Sequence, residues 1–74
     1  MGITEDIADQ LAKEAIEAEE KLGDDRLVNQ VSEVIGGSST TTQEAYLTAV
    51  RVRRSEARAR KFIAEKLAKG ARQT

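Results

Sequence analysis

The stretch that decides the fold is residues 42–69, which read TQEAYLTAVRVRRSEARARKFIAEKLAK. It contains neither proline nor glycine, and residues with high helix propensity dominate it. Thr41 with Glu44 forms a capping box at its start, and Gly70 follows its last residue. At 1.5 Å per residue the segment would be about 40 Å long. The sequence therefore predicts one long C-terminal α-helix.

This predicted helix carries two apolar stripes, about 100° apart when residues are placed on a helical wheel. The first stripe holds Ala45, Ala49, Val52, Ala59, Ile63 and Leu67, and the second holds Tyr46, Val50, Ala57, Ala64 and Ala68. The remaining face is charged, with Phe62 embedded in it. Two shorter helices do not offer enough length to cover both stripes from end to end, so the uncovered remainder predicts a contact surface.

The residues before this stretch predict two shorter helices. Thr4 is a candidate N-cap, and apolar residues then recur every three or four positions up to Leu22. Gly23 suits a left-handed cap at the end of that helix. Asp24 or Asp25 is a candidate cap for a second helix. We therefore predict an all-α helical bundle with three helices, at about 4–22, 25–35 and 42–69, the last of them long.

The domain organisation expected from 74 residues is simple. Residues 1–74 form a single small helical domain, since a chain this short rarely builds two cores. Residues 36–41 read GGSSTT, a composition typical of a flexible connector. Residues 71–74 are expected to be a disordered tail.

The net charge of −1 hides a strong segregation of charge. Residues 1–37 carry ten acids and three bases, whereas residues 38–74 carry three acids and nine bases. One interpretation is that the two halves pack together and neutralise each other. The other is that the basic half faces an external polyanion.

Several classes of function find no support in the composition. There is no histidine and no cysteine, which removes the commonest general base and the thiolate ligands of zinc. No glycine-rich phosphate motif is present. The acidic pairs at 19–20 and 24–25 lack the spacing of a calcium loop and are better interpreted as solvated surface. We expect no enzymatic activity, no cofactor and no metal.

The N-terminus is acidic, and no apolar run approaches membrane-spanning length. The expected location is therefore cytoplasmic, with no membrane partner.

The basic segment 51–61 is the one sharp feature. Its candidate contact residues for a partner or nucleic acid are Arg51, Arg53, Arg54, Arg58, Arg60, Lys61 and, next to them, Phe62. Arginines at helical spacing can follow a phosphate backbone. The more ordinary interpretation is that these bases pair with the acids of the first helix and otherwise face solvent.

Self-association is expected because the core is thin. Apart from 11 alanines, only 18 residues are hydrophobic, and small domains with little apolar area often need a partner. The candidate residues for a homodimer interface are Tyr46, Ala49, Val50, Val52, Ala57 and Ile63. The sequence thus predicts a small protein–protein interaction or regulatory protein that acts through its C-terminal helix. The alternative is an accessory protein that binds nucleic acid through segment 51–61.

Overall fold

The computed structural model describes residues 2–73 of the chain. Three helices follow one another: α1 (Ile3–Leu22), α2 (Leu27–Gly36) and α3 (Thr40–Gln73). No strand occurs in this part of the chain. The prediction of an all-α, three-helix protein with a long C-terminal helix is confirmed.

The two shorter helices begin at positions that differ from the prediction. α1 starts at Ile3 with Gly2 as its N-cap, and Thr4 makes no capping hydrogen bond. Gly23 ends α1 in the left-handed conformation, with φ 63°, as predicted. α2 begins at Leu27 rather than near residue 25, and its N-cap residue is Arg26, whose N–H donates to Asp24 Oδ1 at 3.0 Å. Its Val28 N–H instead donates to Glu19 Oε2 of α1 at 2.9 Å, so a tertiary contact supplies the cap.

The start and end of α3 also differ from the prediction. Ser39 acts as the cap, because its Oγ accepts the N–H of Thr42 at 3.1 Å. The predicted capping box at Thr41 is therefore wrong, and Thr41 lies within α3. At the other end α3 continues through Gly70 to Gln73. A helical glycine costs only about 1 kcal/mol relative to alanine, so it does not have to end a helix.

These boundaries revise the predicted segments that join and follow the helices. Only residues 37–39 lie between α2 and α3, so the connector is shorter than the predicted 36–41, and its flexibility stays a prediction. The predicted tail 71–74 is helical as far as Gln73, and Thr74 lies outside the described residues.

The core lies where the three helices meet. Its buried side chains are Ala8, Ala12 and Ala15 from α1, Val28 from α2, and Tyr46 and Val50 from α3. Three alanines on one face of α1 let α3 approach closely. The Tyr46 ring fills the space between the helices, and its hydroxyl donates to the Val28 carbonyl at 2.8 Å. Burying an aromatic side chain of this size contributes much of the available apolar stabilisation.

A second contact holds α2 to the start of α3. The Gln43 side-chain amide donates to the Ser32 carbonyl at 3.0 Å. A Cβ at Gly36 would lie 2.5 Å from that amide nitrogen. The absence of a side chain at Gly36 therefore leaves room for the Gln43 side chain. The hydrogen bond from Gln43 fixes α2 against the first turns of α3.

Candidate interaction surface

The C-terminal part of α3 extends beyond the other two helices. We call residues 2–54 the head and residues 55–73 the arm. Every side chain described between Ser55 and Ala71 is exposed, because α1 and α2 reach only the first half of α3. The arm is about 28 Å long at 1.5 Å per residue, which accounts for much of the 55 Å length of the molecule.

Large apolar side chains lie on the arm and beside it. The exposed fractions are 62% for Val52, 60% for Phe62, 55% for Ile63 and 69% for Leu67. Spacings of four and seven residues place Val52, Ala59, Ile63 and Leu67 on one side of α3. We call these four residues the arm stripe. The head buries the second predicted stripe at Tyr46 and Val50 but leaves the arm stripe uncovered.

Phe62 lies away from the arm stripe, on the charged side of the helix. The Lys66 ammonium lies 5.7 Å from the centre of its ring, a cation–π contact that is weak when exposed. The sequence-based placement of Phe62 among charged residues is confirmed.

Ion pairs between α1 and α3 confirm the predicted charge pairing. The Arg53 guanidinium binds both carboxylate oxygens of Asp9, at 2.7 and 2.8 Å, and Arg54 donates to Glu19 Oε1 at 3.1 Å. The hydrogen bond from Arg53 lowers the pKa of Asp9, and the same bond raises the pKa of Arg53. Asp9 and Glu19 are about 15 Å apart along α1, yet they pair with adjacent arginines. Since adjacent residues point in directions about 100° apart on a helix, the two long arginine side chains reach different turns of α1.

The other bases of segment 51–61 do not contact the head. Arg60 pairs within α3, with its Nη2 2.9 Å from Glu56 Oε2. Arg51, Arg58 and Lys61 form no ion pair with any residue in the range 2–73. Only two of the six predicted basic contact residues are thus engaged with α1, and the others remain on the surface.

The predicted self-association residues divide into two groups. Tyr46 and Val50 are buried in the head and Ala49 is half-buried, so they stabilise the fold of a single chain. Val52, Ala57 and Ile63 are exposed. The division arises because α1 and α2 pack on α3 only before residue 55.

A cleft of about 610 Å³ opens where the arm leaves the head. Ile16, Glu17 and Glu20 of α1 line one side, and Ala57 and Arg60 of α3 line the other. The sequence did not indicate this cleft, because it depends on how α1 and α3 pack against each other. Residues 16–20 read IEAEE, which gives no spacing signal for a cleft.

Other kinds of site find no counterpart in the part of the chain described. Its Asp and Glu side chains form no group of three or more that could hold a metal ion. No helix within residues 2–73 has the length and apolar character needed to cross a membrane.

Comparison with known proteins gives no relative from which a function could be transferred. No protein family, curated protein or solved structure matches the chain at a significant level.

Proposed function

We propose that this chain is a small, non-enzymatic protein–protein interaction or regulatory protein that binds its partner through the arm of α3. The observation that carries this proposal is the arm itself, a helix of which every described side chain is exposed. Large contiguous apolar patches on a protein surface mark interaction sites more often than scattered apolar residues do. Ile63 and Leu67 lie one turn apart on the same side of the helix as Ala59, and more than half of each of the two larger side chains is exposed.

Energetics support a partner for the arm. In proteins most helical stability comes from tertiary packing of an amphipathic face, and every described side chain of the arm is exposed. Burying an Ile or Leu side chain stabilises a complex by about 1.5–3 kcal/mol. A partner that covers Ile63 and Leu67 would therefore stabilise both the complex and the helical state of the arm.

The chemistry of the arm also indicates what kind of surface it fits. Arg60 and Lys66 lie on either side of the arm stripe on the helical wheel. A helix with an apolar stripe and basic flanks fits an apolar groove with acidic edges, the common helix-in-groove mode of recognition.

Affinity capture with matched variants tests this proposal. We expect Ile63→Asp with Leu67→Asp to abolish capture of the proteins that the unmodified chain retains, after nuclease treatment. The control is Val34→Asp, because Val34 is 77% exposed on α2 and far from the arm in sequence. It should leave capture unchanged. Equal capture by the arm variant and the control would contradict a role for the arm.

Nucleic-acid binding is the second candidate, favoured by one specific observation. Arg51, Arg58 and Lys69 share one side of α3 at spacings of seven and eleven residues, and none forms an ion pair within the described residues. Such a face can contact phosphates, with affinity that falls steeply as salt rises. Phe62 is the only exposed aromatic side chain in that range, so little base stacking would add to the binding.

A salt titration tests this second candidate. Binding to generic DNA or RNA should be present at about 50 mM salt and largely lost at about 200 mM. Arg58→Gln with Lys69→Gln should reduce the slope of affinity against salt, whereas Ile63→Asp should not. Absence of binding at the lower salt concentration eliminates the candidate.

A further inference from the structure

The arm stripe continues along α3 into the head without a break. Its side of the helix repeats at alternating spacings of four and three residues, the a and d pattern of helices that pack side by side; the residues are Ala45, Ala49, Val52, Glu56, Ala59 and Ile63. We call this row, together with Leu67 one turn later, the contact line. Ala45 and Ala49 are half-buried, and the contact line is exposed from Val52 onward.

The head packs on a different side of α3. Tyr46 and Val50, which are buried in the core, lie about 100–140° from the centre of the contact line on a helical wheel. A second helix can therefore lie along the contact line while α1 and α2 keep their places.

We propose that this second helix is α3 of another copy of the chain, antiparallel to the first. The inference rests on the proposed function, because it takes the arm as the binding element and names its partner. The two-fold axis passes between residues 57 and 58, so residues 61–70 of each arm lie along residues 45–54 in the head of the other copy. Of the residues predicted for self-association, Tyr46, Val50 and Ala57 lie outside this interface.

The large apolar side chains determine the register. Val52 comes eleven residues before Ile63, and an axis between residues 57 and 58 sets Val52 of each copy opposite Ile63 of the other. Leu67 then lies opposite Ala49 of the second copy. Val52, Ile63 and Leu67 are 62%, 55% and 69% exposed in a single chain, and this register covers all three in both copies.

The charged residues nearest the contact line also meet opposite charges. Glu56 Oε2 lies 2.9 Å from Arg60 Nη2 of its own chain, and the two-fold axis brings Arg60 of the second copy to nearly the same level. Two carboxylates and two guanidinium groups then surround the axis. On the other edge of the interface, Lys66 lies on the same side as Glu44 of the second copy. Both edges therefore combine acids with bases.

The basic side of the arm stays out of the interface. Arg58, Lys61 and Lys69 lie more than about 100° from the centre of the contact line, and their side chains are exposed. The net charge of the arm is therefore not the charge that the second copy meets.

Charge complementarity between head and arm selects the antiparallel direction. The head carries eleven acids and six bases, a net charge of −5, and the arm carries two acids and six bases, a net charge of +4. A parallel dimer would set head beside head, arm beside arm and Glu56 against Glu56. The antiparallel dimer sets each arm beside the head of the other copy, and opposed potentials of this kind orient the encounter.

Disulfide trapping tests the arrangement, because the chain has no cysteine of its own. Val52→Cys and Ile63→Cys are prepared as separate variants and mixed in equal amounts in a glutathione redox buffer. The disulfide that joins position 52 of one chain to position 63 of the other should be the main product in intact-mass measurements. In an antiparallel pair the two positions 52 are about 16 Å apart along the helix axis, whereas disulfide-bonded Cα atoms lie about 4–7 Å apart. The control is Ala68→Cys mixed with Val52→Cys, which should give no excess of the mixed disulfide.

Sedimentation equilibrium tests whether the dimer forms without a covalent link. The unmodified chain at high micromolar concentration should have about twice the 8.1 kDa mass of one chain. Ile63→Asp should sediment as a monomer. The matched control Ala68→Asp places the same charge about 140° from the contact line and should remain dimeric. Circular dichroism verifies that both variants are helical, and Ile63→Ala, which should also weaken the dimer, replaces Ile63→Asp if that variant is not.

Three results would overturn the inference. They are a monomeric unmodified chain, disulfides between identical positions that equal or exceed the mixed one, and a control variant that dissociates as readily as Ile63→Asp. A monomeric unmodified chain that still captures other proteins through Ile63 and Leu67 would leave the proposed function standing. Loss of that dependence would remove the proposed function instead.

Discussion

Tyr46 provides the sharpest test of how the head is held together. Its ring is fully buried, and its hydroxyl donates to the Val28 carbonyl at 2.8 Å. Tyr46→Phe removes this hydrogen bond and keeps the ring. Because the Val28 carbonyl belongs to α2 and also accepts an intrahelical amide, it is not left unsatisfied. The expected loss is therefore that of one net hydrogen bond, about 1 kcal/mol.

The assay is thermal unfolding followed by circular dichroism. A loss of about 1 kcal/mol corresponds to a fall in Tm of about 4–8 °C for a domain of this size. Tyr46→Ala removes the ring as well and should cost about 3–5 kcal/mol. That is comparable with the total of about 4–11 kcal/mol expected for 74 residues, so this variant should unfold at or near room temperature.

The control is Phe62→Leu, since Phe62 is the other aromatic residue of α3 and is exposed. Its effect should stay within about 0.5 kcal/mol. The reasoning is refuted if Tyr46→Phe leaves Tm unchanged, or if Tyr46→Ala unfolds at the same temperature as the unmodified protein. Either result would mean that the contact between α2 and α3 does not stabilise the fold.

Three further predictions concern the helix ends, the ion pair and Tyr46. Glu19→Ala should destabilise the head by about 1 kcal/mol because the Val28 N–H loses its hydrogen-bond acceptor. Glu19→Gln keeps an acceptor at this position and should destabilise the head less. Equal falls in Tm for the two variants would contradict this prediction. The pKa of Asp9 is lowered in the folded chain, so its ion pair stabilises the fold above the ordinary pKa of 3.8 and is lost as pH falls. The difference in Tm between Asp9→Asn and the unmodified protein should therefore vanish in acid. A difference that stays constant with pH would argue against the pair. Burial raises the pKa of Tyr46 above 10.0, so phenolate absorbance should develop later in the folded than in the unfolded chain, and stability should decline as pH rises through that range; identical titrations would contradict the burial.

Much of the fold could be predicted from the sequence because helix formation depends on local rules. Apolar residues every three or four positions, high helix propensity and the glycine at position 23 define three helices without reference to their packing. The caps were predicted less well. α2 is capped by Glu19 from another helix. The start of α3 lies in a run of Ser and Thr residues, each of which could cap a helix, and the residue that does so is Ser39 rather than Thr41.

The candidate interaction surface was predicted only in part. The sequence identified a surplus of apolar surface on α3 and the exposed position of Phe62 among charges. It did not indicate which part of each stripe is buried, so Tyr46 and Val50 were grouped with Ile63 although they belong to the core. A helical-wheel projection gives the direction of each side chain but not its position along the helix axis. Burial, however, depends on where along α3 the other helices end.

What the sequence by itself determined is therefore the secondary structure, the uneven distribution of charge and the amphipathic character of α3. Only the tertiary structure decided which part of α3 packs against α1, that Arg53 pairs with Asp9 across a separation of 44 residues, and that the arm projects from the head. The physical reason is that the way two helices meet depends on close packing of side chains from different helices, here the alanines of α1 against Tyr46 and Val50. Such packing depends on shapes in three dimensions, which periodicity along one chain does not specify.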